Sequence, residues 1–280
     1  MKKFISLFVL AAMMLALIAC TPAAKPEDKK VLRVGMECTY APYNWSQPTN
    51  ANGAVPIKDS SDYAYGYDIM IAKYIADKIG YDLEINKIDW DSLPIAVQTG
   101  AIDCAIAGQS ITSERMESVD FSTPYYYASI VVLTGKNGKY ASAKSLADLA
   151  GCTSTSQINT VWYNTCLPQI PDVNKLTAMS TSSEMIVALN SGAAEVVVTD
   201  KPTAMAAVSA YPNDLVMLEF EDENNFVVSE EEINIGISVQ KGNSELLQKI
   251  NNALKDLNVE DFDRMMNDAI KVQPLESDAE

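Results

Sequence analysis

The residues best placed to hold a small charged molecule are scattered along the chain. Arg115 closes the stretch AGQSITSER (107–115), where an apolar run gives way to Gly, Gln and Ser before a helix is predicted to open at Thr112. Free N–H groups at a helix start and a guanidinium both attract oxyanions, and Arg grips planar ones with two hydrogen bonds. Taken alone, an Arg in the first turn of a helix is more often a surface salt-bridge partner, here of Glu117 or Asp120. Gly108 and Ser110 precede it, Glu37 and Tyr40 follow VLRVGM, and Trp90 stands in DWD. Gln157, Asn159 and Thr160 follow TSTS, and Asp200 ends EVVVTD. A cation, acids, two aromatic plates and small hydroxyls suit a zwitterion: Arg for a carboxylate, Asp for an ammonium, rings around what lies between. A phosphate is poorly served, because no GxxxxGK[ST] accompanies the stretch and Arg115 is its only Lys or Arg.

These positions share one property: each follows a predicted strand. VLRVGM (31–36), DLEINKI, AIDCAIAG, SIVVLTG (129–135), TSTSQ (153–157), EVVVTD and INIGISVQ read as strands. Between them, 68–80 carries Ile71, Ala72, Ile75, Ala76 and Ile79 on one helical stripe ended by Gly80, and 182–192 and NSELLQKINNALKDL are amphipathic helices. Such alternation predicts an α/β fold with mostly parallel sheet, whose ligands sit beyond the carboxyl ends of the strands. Pro124-Tyr125-Tyr126-Tyr127 and EEEINIG look like points where the chain crosses between packed units. The expected division is 31–126 plus 236–280 for the first lobe and 129–232 for the second, with hinges near 125–129 and 232–236.

Composition narrows the chemistry. The 280 residues contain no histidine, which removes Ser-His-Asp and Cys-His catalysis and imidazole zinc sites. No cofactor and no metal are expected. The formal charge of −16 argues against nucleic acid as a partner. Residues 1–19 have a basic start and a short apolar core, as in a signal peptide, and Leu17-Ile18-Ala19-Cys20 looks like a bacterial lipobox. That likeness implies cleavage before a lipidated Cys20, with 20–30 as a tether and a location on the outer face of the cell membrane. Of the other cysteines, Cys152 and Cys166 form a possible disulfide, whereas Cys38 and Cys104 suit buried thiols. Asp68, Asp89 and Asp91 read as caps or surface charges.

GYDIMIAKYIA (66–76), AIDCAIAGQSITSERMESVDFSTPYY (101–126) and EVVVTDKPTA (195–204) closely resemble the bacterial extracellular solute-binding proteins of family 3, the amino-acid receptors of ABC importers. The resemblance runs from about Leu32 to about Leu257. It implies a two-lobe, periplasmic-binding-protein-like (type II) α/β fold with two hinge crossovers and a cleft, working with an ABC permease and its ATPase as a monomer and not as an enzyme. By that likeness Arg115 clamps an α-carboxylate with help from Ser110 and N–H groups near Gly108 and Thr160, and Asp200 takes the α-ammonium. Tyr40 and Trp90 flank the side chain, Glu37 reaches its tip, and Gln157 and Asn159 complete the site. A basic ligand, lysine or arginine, balances the charges, with glutamine or another polar amino acid as the alternative. A cyclohexadienyl dehydratase-like lyase on the same fold is the alternative of another class. Met70 departs from the family's helix signature, which usually has an acid there, Asn159 stands where many relatives have Gly, and the C-terminus lacks the usual Trp-Phe-Gly.

Overall fold

The computed structural model describes residues 29–274. The leader, Cys20, most of the tether and the acidic end 276–280 lie outside the described residues. The chain opens on β1 (Val31–Met36), whose Leu32, Val34 and Met36 are fully buried. A small antiparallel sheet follows, made of β2 (Thr39–Tyr40), β3 (Asn44–Gln47), β4 (Val55–Pro56) and β5 (Tyr63–Tyr65). Helix Tyr67–Ile79 begins after Gly66 and stops at Gly80, which takes the left-handed conformation (φ 73°) that closes helices without a Cβ penalty. Ile71, Ala72, Ile75 and Ala76 form its buried stripe, with Ile79 partly covered. Next come β6 (Asp82–Lys87), helix Leu93–Gln98, β7 (Cys104–Ala105), the four-residue helix Ser113–Met116 and β8 (Val119–Phe121).

The chain crosses over at β9 (Tyr126–Tyr127) and builds a second unit from β10 (Ile130–Gly135), β11 (Thr153–Thr155), β12 (Asn174–Lys175), β13 (Val196–Asp200) and β14 (Leu215–Leu218). It returns through β15 (Asn234–Ile235), which pairs antiparallel with β9, and ends in β16 (Ser238–Gln240) and helices Ser244–Leu254 and Val259–Val272. INIGISVQ is therefore two short strands rather than one, because Gly236 N–H turns to bond the Gln109 carbonyl. The C-terminal helix is well formed: Asn258 and Asp261 make a capping box, and Phe262, Met266 and Ala269 are its buried face.

Two five-stranded sheets result, ordered β6-β1-β7-β16-β8 and β12-β11-β13-β10-β14. In each, parallel pairings on one side meet antiparallel ones on the other. The expected mostly parallel sheet is thus a mixed one. A strand arriving from the other lobe, as β10 and β16 do, enters each sheet against the direction of its neighbours. This is the two-lobed type II architecture, and the carboxyl ends of β1, β7, β11 and β13 converge on the cleft.

Candidate functional site

On the first lobe, β1 delivers Glu37, which is 4% exposed, and β2 delivers Tyr40 directly after it. The loop leaving β7 carries Gly108 and Ser110, and Thr112 then caps the helix that bears Arg115, accepting the Arg115 N–H. Arg115 Nη1 donates to the Ser110 carbonyl at 2.9 Å, and its guanidinium carbon lies 5.4 Å from the centre of the Trp90 ring. Arg115 makes no ion pair among the described residues. Asp120, one partner considered for it, pairs with Lys241 at 2.9 Å instead.

The second lobe answers from two strand ends. After β11, Gln157 and Thr160 are buried, while Asn159 adopts a positive φ of 56°. Asn tolerates that left-handed geometry better than most residues, which is why it stands where a glycine also fits. Asp200 ends β13, is 1% exposed, and caps helix Lys201–Ala210 by accepting the Thr203 N–H at 2.8 Å.

The two halves meet directly. Tyr40 Oη donates to Asp200 Oδ2 at 2.5 Å, and Gln157 Nε2 donates to both Glu37 oxygens at 3.2 Å. Trp90 Nε1 donates to the Ile158 carbonyl at 3.0 Å, and Arg115 Nη2 to the Asn159 carbonyl at 2.9 Å. Asn159 Nδ2 reaches Asp91 at 2.9 Å, so Asp91 joins the lobes as well as facing solvent. Tyr40, Trp90, Gly108, Ser110, Arg115, Gln157 and Thr160 line one small cavity between the lobes, together with Val161 and Trp162. Glu37, Asn159 and Asp200 do not line it; they stand behind its wall, hydrogen-bonded to Gln157, Arg115 and Tyr40 respectively.

Burial without a countercharge dominates the electrostatics. It pushes the Glu37 carboxyl up to about 7 and that of Asp200 up to about 6, while hydrogen bonds from Gln157 and Tyr40 pull back. The same cause lowers the Arg115 guanidinium to about 10. The cleft therefore holds a cation and two acids, each short of an opposite charge.

Three sequence expectations need correction or addition. Cys152 and Cys166 are both free and buried, and desolvation raises their thiols to about 11 and about 12. Cys152 leads into β11 while Cys166 ends the turn Trp162–Cys166, so each packs into the core and no disulfide joins them. Asp68 is no surface charge: it is fully buried at the start of helix Tyr67–Ile79, where Asn44 and Tyr125 donate to it. Trp162, 7% exposed and edge-on to Tyr40 with ring centres 6.1 Å apart, was missed. The strand-end rule looks only a few residues past a strand, and Trp162 comes after an irregular loop that the rule does not reach.

Gly108 shows how tightly the wall is built. Its φ is +63°, and a Cβ there would lie 2.5 Å from Tyr40 Cε1. Gly108→Ala is expected to cost roughly 1–3 kcal/mol through left-handed strain and displacement of the Tyr40 ring from Asp200. Urea unfolding measures the loss, and a variant as stable as the parent would show that Tyr40 yields freely.

The family model described as bacterial extracellular solute-binding proteins, family 3, matches residues 32–268. The chain belongs to that family. It is 27% identical to the arginine-binding extracellular protein ArtP of Bacillus subtilis, over 92% of this chain and 93% of the relative. Among solved structures, an amino acid ABC transporter substrate-binding protein from Streptococcus pneumoniae bound to L-arginine is 26% identical with a TM-score of 0.75, covering 87% of this chain and 95% of the other. An ancestral arginine-binding protein bound to glutamine is 34% identical with a TM-score of 0.67, covering 86% and 97%.

Proposed function

We propose that this protein is the receptor of an amino-acid ABC importer, binding one free L-amino acid between its lobes, and that the ligand is basic, arginine or lysine. The observation that carries this reading is that Arg115, without an ion pair among the described residues, lines the cavity from the first lobe, while the buried Asp200 of the second stands directly behind it, bonded to the Tyr40 hydroxyl of the cavity wall. A single zwitterion satisfies both, its carboxylate on Arg115 and its ammonium on Asp200. Glu37 then faces the side chain, which a cation would neutralise. Tyr40 and Trp90 flank it, and their faces suit a guanidinium or an aliphatic stem. The arginine named for the B. subtilis relative and held in the S. pneumoniae structure supports the same ligand class.

In this reading the work is closure, not covalent chemistry. A ligand drives closure only by its differential affinity for the closed form. The ligand replaces the contacts that Arg115 and Asp200 now make with protein groups, and the crossovers at β9 and β15 act as hinges. The leader and the Leu17-Ile18-Ala19-Cys20 sequence support a lipid anchor on the outer membrane face, beside a permease and its ATPase, with the receptor as a monomer. Glutamine is the second reading, favoured by one contact: both oxygens of Glu37 already accept from an amide, that of Gln157, beside a longer bond from the Thr39 hydroxyl. Calorimetric titration with the twenty L-amino acids is expected to give its tightest binding with arginine or lysine. Tight glutamine binding with none for either basic residue would move the assignment to the second reading.

A further inference from the structure

Asp68 lies outside the cavity, yet the segments that wall the cavity meet at its carboxylate. We propose that Asp68 is a positioning residue for ligand binding, locking the Glu37–Tyr40 segment, the Gly108–Ser110 loop and the first crossover into one register. The proposal rests on the receptor reading above.

The direction of each hydrogen bond carries it. Cys38, between Glu37 and Tyr40, donates its N–H to Asn44 Oδ1 at 2.7 Å. The other end of that amide, Nδ2, therefore points away and donates to Asp68 Oδ2 at 2.8 Å. On the other side, the Gly108 N–H donates to Tyr125 Oη at 3.0 Å. The proton of Tyr125 is then free to go elsewhere, and it goes to Asp68 Oδ1 at 2.6 Å. Both links reach position 68 as donors, so its side chain must accept twice, once on each oxygen. A carboxylate does this and an amide does not. All the participants are buried: Asn44, Asp68 and Tyr125 have no exposed surface, and Cys38 has 2%.

The backbone reinforces the junction. Asp68 N–H donates to the Tyr43 carbonyl at 2.8 Å, Tyr67 N–H to that of Pro42 at 3.0 Å, and Tyr67 Oη to that of Tyr125. The preceding Gly66 admits this approach, since a Cβ there would lie 2.3 Å from the Tyr43 oxygen. The helix start favours a negative charge, while burial raises the carboxyl to about 7. An apolar group at 68 would leave two buried donors, Asn44 Nδ2 and Tyr125 Oη, without an acceptor. A group serving register must keep its two acceptors.

Asp68→Asn puts an NH2 where one of the two donors arrives, so one link must break. The double variant Asn44→Asp with Asp68→Asn restores every direction. The amide at 68 donates to the new carboxylate at 44, whose other oxygen accepts Cys38 N–H, and the amide oxygen accepts the Tyr125 proton. L-Arginine affinity, by calorimetry on folded protein, is expected to weaken roughly tenfold in Asp68→Asn and to return to within about threefold of wild type in the double variant. The amide NMR resonances of Cys38 and Gly108, recorded without ligand, are expected to move and return in parallel. An Asp68→Asn protein with lower Tm but unchanged affinity and amide positions would overturn the proposal, as would a folded double variant with no recovery. Should Asp68→Asn not fold, Tyr125→Phe removes the hydroxyl joining Gly108 to Asp68 and is expected to weaken binding similarly. Unchanged affinity and an unmoved Gly108 amide in that variant would overturn the proposal. If wild type binds none of the twenty amino acids, the receptor reading fails, and the amide resonances still decide the register.

Discussion

Arg115→Ala is expected to abolish the thermal stabilisation that a basic amino acid confers while leaving the ligand-free protein folded, with Tm within a few degrees of wild type. Among the described residues the guanidinium bonds two carbonyls and packs on the face of Trp90, and burial lowers it to about 10. A half-buried charge held this way costs the fold about as much as its contacts return. With a ligand carboxylate in place it becomes one half of a charge-assisted pair, and truncating one member of a buried pair typically costs 2–5 kcal/mol of binding, roughly 30- to several-thousand-fold. Wild type at a ligand concentration a hundred times its Kd gains about 2.7 kcal/mol; a variant binding a hundredfold more weakly gains about 0.4 kcal/mol at the same concentration. For a protein of this size that difference is roughly 5–9 °C in Tm, well within reach of a thermal scan. A variant that keeps the wild-type shift would remove the carboxylate from Arg115.

What was readable in the sequence, and what was not, divides along the range of the interactions. Arg115, Asp200, Tyr40 and Trp90 stand out as candidates in the sequence because strand ends and helix starts are local patterns, and in an α/β sheet those ends face one cleft. The small sheet of β2 to β5 had no such signal. Its strands are two to four residues long and are held by pairing with one another, not by periodicity. Asp68 sits at a position where hydropathy predicts a solvated helix start, and only the approach of Asn44 and Tyr125 makes it a buried hub. Gln157 and Glu37 were each placed near the site, but their mutual contact joins residues 120 positions apart. The free Cys152 and Cys166 teach the same lesson, since the positions of two strand and turn ends in a core decide whether thiols meet. Local pattern placed the chemistry; packing across the cleft decided which groups touch.

The affinity for a cationic amino acid is expected to rise with pH through the window around 6 to 7 and to level off above it, and Glu37→Gln is expected to flatten much of that rise. In the closed cleft burial holds the Glu37 carboxyl up to about 7 and Asp200 up to about 6. A guanidinium or ammonium beside each favours the ionised form, so each pKa falls on binding and a proton is released. Affinity therefore grows by up to about tenfold per pH unit for each group, between its lowered value in the complex and its raised value in the closed protein. The closed form without ligand moves the opposite way. A carboxyl whose folded pKa is raised from 4.5 to about 7 contributes stability that is full below 4.5 and lost as pH rises through 7. From pH 5 to pH 8 the closed form without ligand should thus lose stability while the Tm shift produced by arginine grows. Glu37→Gln removes the larger of the two titrations, so it should lose affinity for arginine chiefly at pH 8, where the carboxylate is charged, and little at pH 5. A neutral ligand such as glutamine gives the opposite result, with no gain in affinity from pH 5 to pH 8 at the Glu37 end of the site. Titrations at three pH values, in buffers of different ionisation heat, count the released protons directly. Arginine affinity independent of pH from 5 to 8 would place the cationic side chain away from Glu37.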